Sequence, residues 1–336
     1  MNRFAILKSL FEQRKVFKLV CGAGNEDPEE VRRLSMVYTL AGALIHDVSA
    51  NPDIVKAAAK GIDDAYTLSN NFKIDIKIRP YINVSIGIKG DPHIRKAYIN
   101  TEKCIGCGKC AVICRQGSII SKGEWLVEDY RCIGCGDCEN VCPANAINFI
   151  FKRLDFQKIL PECIDAGCEI MELHAVSEDD EAVMNDWLLL NEIIRDNFIS
   201  VCLDRSLLSN THLIKRIKKM YEITPDRMIV QADGVPMSGE GDDFNTTLQA
   251  VACADIVIKS GIPVIVLISG GTNSKSGILA KQCSVSAHGI SVGSYARKIL
   301  RPFIKNENFM HDKDLIKQSI EIAQNLVKSN LDALNG

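Results

Sequence analysis

A barrel of eight parallel strands wrapped by helices, a (β/α)8 TIM-like barrel of the α/β class, is the fold the sequence predicts, with one cysteine-rich insert after the third strand. Three observations predict it. Outside residues 89–150, short apolar runs alternate with amphipathic stretches. The apolar runs number eight. Most are short and largely apolar, as expected of strands buried on both faces.

The strands are expected at Phe17–Cys21, Leu44–Val48, Tyr81–Ile86, Ile170–Leu173, Ser200–Leu203, Met228–Gln231, Val264–Ile268 and Gly289–Val292. The helices between them are expected at Pro28–Leu40, Pro52–Leu68, Phe156–Ala166, Glu181–Asp196, Thr211–Tyr221, Asn245–Lys259 and Ser274–Cys283, with Asp314–Leu331 closing the series. Asp27-Pro28, Asn51-Pro52 and Asn210-Thr211 mark helix starts, since a capping side chain followed by proline or a polar residue satisfies the first free N–H groups. Eight strand–helix units favour closure over an open doubly wound sheet. The domain expectation is a barrel from residues 1–88 and 151–336, with a module of residues 89–150 inserted after the third strand.

Composition agrees. The 336 residues are 46% hydrophobic and 24% charged, with a net charge of −2 and no Lys/Arg block. That leaves ample core and argues against nucleic acid or an anionic membrane as partner. No run approaches the roughly 18 apolar residues of a membrane span. The first residues, MNRFAILKSLFEQRKVF, read as a short amphipathic helix packed on the body rather than a signal peptide.

The insert carries the sharpest motif. CIGCGKCAVIC and CIGCGDCENVCP both follow C-x2-C-x2-C-x3-C, and Pro143 ends the second. Three thiolates on one tight turn clasp three irons of a cubane, and the glycines Gly106, Gly108, Gly134 and Gly136 let the backbone curl towards the sulfurs. In two-cluster bacterial ferredoxins the fourth cysteine of each run serves the other cluster. The expected ligand sets are therefore Cys104, Cys107, Cys110 and Cys142 for one [4Fe–4S] cluster, and Cys114, Cys132, Cys135 and Cys138 for a second, with the fourth cysteine following at a helix start. Zinc knuckles, the alternative, use separated C-x2-C pairs rather than four cysteines in eleven residues, repeated. The first run has Arg115 where the second has proline, which makes its last turn the looser. The other six of the fourteen cysteines are scattered, as expected of a chain in a reducing cytosol.

At the mouth of the barrel, Ser269, Gly270, Gly271 and Thr272 follow the seventh strand, and Gly293 and Ser294 open the loop Gly293–Arg297 after the eighth. These loops are where barrels bind phosphate, with flavin mononucleotide or a sugar phosphate as the ligand; the plainer reading is two tight turns. Lys18, Glu172 and His174 are candidate acid–base residues at strand ends, with Asp47, Asn83, Asp204, Gln231 and Asp233 nearby, and the plainer reading is a paired polar layer. The loop Asp233–Asp243 is a lid, a ligand loop or a solvated connection.

FKLVCGAG (17–24), DPHIRKA (91–97), DGVPMSG (233–239), SGGTN (269–273) and GSYARKIL (293–300) together resemble the light-dependent period protein family, LdpA. The resemblance spans nearly the whole chain in the same order. It implies an iron–sulfur protein with a ferredoxin-like region and a characteristic C-terminal domain. Cyanobacterial members are linked to redox-sensitive input into the circadian clock, a role that does not carry over from sequence. Three functions stay open: electron transfer or redox sensing with a partner protein or small electron carrier; an oxidoreductase whose barrel holds a flavin or phosphorylated substrate; and a binding protein stapled by its clusters.

Overall fold

The structure, a computed structural model, describes residues 2–22, 24–87, 95–151, 154–234 and 241–335. Its centre is a closed barrel of eight parallel strands: β1 (Val16–Val20), β2 (Ile45–Ser49), β3 (Tyr81–Gly87), β8 (Ile170–His174), β9 (Ile199–Leu203), β10 (Met228–Asp233), β11 (Ile265–Ser269) and β12 (Gly289–Val292). Each strand pairs with its neighbour in sequence around the ring, β3 passes directly to β8, and β12 closes on β1 with Lys18 opposite Ser291. Every strand lies within two residues of the segment its apolar run marks.

Helices α2 (Pro28–Ala41), α3 (Pro52–Ser69), α6 (Phe156–Asp165), α7 (Asp180–Ile193), α8 (Asn210–Ile223), α9 (Phe244–Lys259) and α10 (Ser276–Gln282) follow the strands. Asp27 and Asn51 cap α2 and α3 as expected, each ahead of a proline at the first helical position. The cap of α8 is Ser209, whose Oγ accepts from the His212 N–H, and Asn210 is already helical. The segment after β12 also departs from expectation. Ser294–Arg297 is not a loop but the first turn of α11 (Ser294–Ile304), whose buried residues Ala296, Leu300 and Ile304 recur every four positions. α12 (Lys313–Asn335) then packs across α2 and α10.

The strands' inward side chains form layers. At the N-terminal end, Val16, Ile45, Tyr81, Ile170, Phe198, Ile229 and Leu267 make an apolar floor. The first helix, α1 (Arg3–Glu12), inserts Leu7 and Phe11 beneath it, so this end of the barrel is plugged. The next inward positions are polar and are described below.

The insert contains β4 (Arg95–Ile99) and β7 (Ile147–Phe151), paired antiparallel, and a small hairpin of β5 (Ile119–Ser121) and β6 (Trp125–Val127). Two short helices, α4 (Lys109–Ile113) and α5 (Asp137–Asn140), complete it. No helix among the described residues is long and apolar enough to cross a membrane.

Candidate metal centre and barrel mouth

The two cysteine runs fold alike. Gly106, Gly108, Gly134 and Gly136 all have φ between 70° and 90°. That left-handed conformation is open to glycine and strained for residues with a Cβ, and it turns each loop inward around its cysteines. Cys110 and Cys138 lie in α4 and α5, and one helical turn later Cys114 and Cys142 follow the helix end. The fourth cysteine thus leaves a helix rather than starting one, because the x3 spacing consumes the turn that α4 and α5 provide.

The cysteines line two cavities. One holds Cys104, Cys107, Cys110 and Cys142, walled by Ile99, Ile147 and Trp125. The other holds Cys114, Cys132, Cys135 and Cys138, walled by Ala97, Ile119 and Phe149. Backbone N–H groups already aim at sulfur: Ala97 donates to Cys132 Sγ at 3.4 Å, Ser118 to Cys114 Sγ at 3.4 Å and Ala146 to Cys142 Sγ at 3.3 Å. Burial pushes the Cys138 thiol up to about 12, and also raises Cys110 and Cys135. Sulfurs grouped in fours and supplied with N–H donors suit a cluster whose iron holds them as thiolates.

The cavities differ in exposure. Cys107 is exposed, whereas Cys132 and Cys138 are buried. Trp125 leans over the first loop, its indole N–H donating to the Gly106 carbonyl at 3.3 Å. Its ring also fills the space a side chain at Gly108 would need. Sequence reasoning did not single out this tryptophan; its place one strand away from both runs leaves no spacing signal.

The second cavity reaches the barrel. Ser294, the first residue of α11, is part of its wall. Around it the module grips the loop after β1 and the helix α11. Lys96 Nζ donates to the carbonyls of Gly24 at 2.6 Å and Cys132 at 2.8 Å. The Tyr130 backbone carbonyl accepts from the Glu26 N–H at 2.7 Å, Arg131 meets Asp27 at 3.2 Å, and Arg301 of α11 donates to Gln116 at 3.3 Å.

Inside the barrel, Lys18 Nζ lies 2.6 Å from Glu172 Oε2 and 3.2 Å from Asp47 Oδ2. Glu172 also accepts from Ser200 at 2.6 Å and Gln231 at 2.9 Å, and Asp47 from Asn83 and Ser85, both at 2.6 Å. Ser291 extends the chain to Gln231 at 3.0 Å. Burial alone pulls the Lys18 ammonium down, but Asp47 and Glu172 outweigh it and raise its pKa. A lysine so held stays protonated, which argues against a nucleophilic amine. Burial also opposes ionised Glu172, yet Lys18 and His174 hold its carboxyl far below the usual range, while burial and the charge on Glu172 raise Asp47. One ammonium faces two carboxyls, and Glu172, which holds the shorter contact to Lys18 and has His174 beside it, takes the charge.

The residues expected at a phosphate site have structural partners of their own. Gly270 has φ 67°, and Asp233 Oδ1 occupies the place a Cβ would take. Thr272 is buried and donates to the Ser291 carbonyl at 2.6 Å. Asn273 ties this loop to Gly241, Asp243 and Thr246. Gly293 caps α11 without a side chain and packs 3.2 Å, at its Cβ position, from Val20. Residues 235–240 of the Asp233–Asp243 loop, and residues 91–94, lie outside the described residues. Ser85, Ser200, Ser291 and Cys202 join the polar interior without having been singled out by sequence; inside a strand their signal is only the two-residue alternation with Asn83, Asp204 and their like.

Comparison with known proteins agrees with this architecture. A 4Fe–4S dicluster domain model matches residues 97–149, so this is an iron–sulfur protein. Light dependent period A of Synechococcus elongatus is 28% identical over 338 residues, covering 95% of this chain and 92% of its own. Among solved structures, tryptophan synthase from M. tuberculosis superposes with a TM-score of 0.50 at 11% identity, over 98% of both chains, a likeness of fold alone. QR15, an aldolase, is looser, with a TM-score of 0.46 at 13% identity over 87% of this chain and 96% of its own. The light dependent period A C-terminal domain model matches residues 162–329, half of the chain. That match begins inside α6 and runs through the second half of the barrel into α12, and with it the chain belongs to the light dependent period A family.

Proposed function

We propose that the protein is a redox protein for electron transfer or redox sensing, built on two [4Fe–4S] clusters. Cys104, Cys107, Cys110 and Cys142 hold one, and Cys114, Cys132, Cys135 and Cys138 hold the other. The observation that carries the reading is the grouping of the cysteines, three from one run and the fourth from the other in each cavity. The clusters supply one-electron chemistry when bound. The chain's own residues do the rest. Trp125 shields the outer site from water, Cys107 leaves its rim open to a partner protein or small carrier, and Lys96 ties the inner site to the loop after β1. The module is residues 89–150, and the barrel is residues 1–88 with 151–336.

Anaerobically purified protein is expected to contain about eight irons and eight sulfides per chain. Cys142→Ser is expected to disturb the cluster of the first run more than that of its sequence neighbours. Stoichiometric zinc without broad visible absorption would overturn the reading.

A second reading is an oxidoreductase whose barrel mouth binds flavin mononucleotide or another phosphorylated ligand at Ser269–Thr272 and Gly293–Ser294. What favours it is that Ser294 belongs both to the first turn of α11 and to the wall of the inner cysteine cavity. A flavin band in the visible spectrum, or saturable binding of flavin mononucleotide or inorganic phosphate, supports it; neither ligand binding removes it.

A further inference from the structure

Just above the Lys18 layer, β8 and β9 bring together three side chains of metal-ligand type. Glu172 and His174 are two residues apart on β8 and share its inward face. Cys202 on β9 is the register partner of His174. One donor atom from each of the three lies within 4.8 Å of the other two. Glu172, His174 and Cys202 are 0%, 7% and 2% exposed, and none belongs to the cysteine module.

The spacing is compatible with coordination. His174 Nε2 is 3.4 Å from Glu172 Oε1. That is long for a hydrogen bond. Two ligands bonded at about 2.0–2.2 Å to one tetrahedral ion stand about 3.3–3.6 Å apart, which is the separation seen. Glu172 Oε2 is fully engaged by Lys18 and Ser200 at 2.6 Å. Oε1 has one good donor, Gln231 at 2.9 Å, and a long approach from Ser85 at 3.3 Å, so it retains a lone pair on the His174 side. The Cys202 thiol donates to Asp233 Oδ2 at 3.1 Å, which places a fourth oxygen beside the three ligands.

Charge points the same way. The inward positions of this region carry the carboxyl groups of Asp47, Glu172 and Asp233, and Asp204 follows β9 two residues after Cys202. Asp204 is 2% exposed, and its Oδ2 is buried with no donor. Lys18 is the ammonium among them. A divalent cation suits a buried region so rich in carboxyl groups.

The geometry points to a single zinc-class divalent ion bound by Glu172, His174 and Cys202, at the inner end of the barrel mouth. A mixed sulfur, nitrogen and oxygen set suits a borderline-soft ion of this kind better than magnesium or calcium. Three protein ligands leave the fourth position to Asp233 or to water, so the site offers a Lewis acid to an oxygen-donor ligand entering from the mouth. Binding displaces the Cys202 thiol proton to solvent, and no electron is transferred in the step.

The test is zinc(II) added to the full-length, anaerobically purified protein, followed by desalting, metal analysis and zinc K-edge absorption. About one zinc per chain is expected, with one sulfur and three nitrogen or oxygen neighbours. Cys202→Ser and His174→Gln are each expected to lower retained zinc at least tenfold, with iron and sulfide unchanged. Iron and sulfide measured on the same samples report on the cluster reading separately. Zinc surrounded by four sulfurs, zinc lost on desalting, or variants that keep their zinc would overturn the site. Should a variant fail to fold, the sulfur count at the zinc edge of the unaltered protein decides alone.

Discussion

His46 faces outward from β2 against α2, fully buried, with Thr39 Oγ1 3.1 Å from its Nε2. Burial lowers its pKa to about 3. The folded protein therefore refuses a proton that the unfolded chain accepts below about 6.5. Stability from this residue is complete above that value and falls as pH drops towards 3, at about 1.4 kcal/mol per pH unit. Thr39 also donates to the Ser35 carbonyl at 2.7 Å, so His46→Leu leaves its hydroxyl satisfied. The variant is expected to flatten the dependence of the urea midpoint on pH between 6.5 and 5; an unchanged slope would refute the assignment. Residue identity carried chemistry unevenly here. Eight cysteines announced themselves through spacing, since few other constraints repeat that pattern. Glu172 and His174 stood out as polar residues in an apolar strand. Ser85, Ser200 and Ser291 did not, because a serine in a strand gains meaning only from the partner that register sets across from it.

The helices pack most closely where α2 crosses α3. A Cβ at Gly61 would lie 2.1 Å from the Arg32 carbonyl oxygen and 3.0 Å from Ser35 Cβ. Gly61→Ala normally favours a helix by about 0.5–1 kcal/mol, but here the clash with rigid backbone has to force the pair apart. A net loss of about 1–3 kcal/mol is expected, read as a lower thermal midpoint; a raised midpoint would show that the crossing is looser than described. At this scale the strands were the legible elements, since burial on both faces writes short, largely apolar runs. α11 was not. It starts on a glycine with no capping side chain and contains Pro302, so the usual start signal is missing and a stop signal is present. Its amphipathic pattern emerges only once Ala296, Leu300 and Ile304 are seen to face the core.

Closure of the barrel joins chain segments on both sides of the insert. β3 pairs with β8, and β12 pairs with β1. Residues 151–336 alone would lack β1, β2 and β3, leaving β8 and β12 with open edges. That fragment is expected to be insoluble or to melt without a cooperative transition, while the full chain unfolds cooperatively. A soluble fragment with a sharp calorimetric transition would count against one barrel spanning the insert. Strand number and order made this architecture readable from sequence. The grip of Lys96, Tyr130 and Arg131 on the loops after β1 was not, because it joins positions whose nearness depends on the finished ring.

The helix that plugs the lower end gives the barrel a direction. Leu7 and Phe11 stopper it against the apolar floor, so the interior is a cup rather than a tube. With that end closed, a route for solvent or a small guest to Lys18 or Glu172 has to run past the C-terminal ends of the strands. The cysteine module is tied to the loop after β1 through Lys96 and to α11 through Arg301. Tied there, the module borders the same end of the barrel, so whatever reaches Glu172 from that end passes beside the inner cysteine cavity.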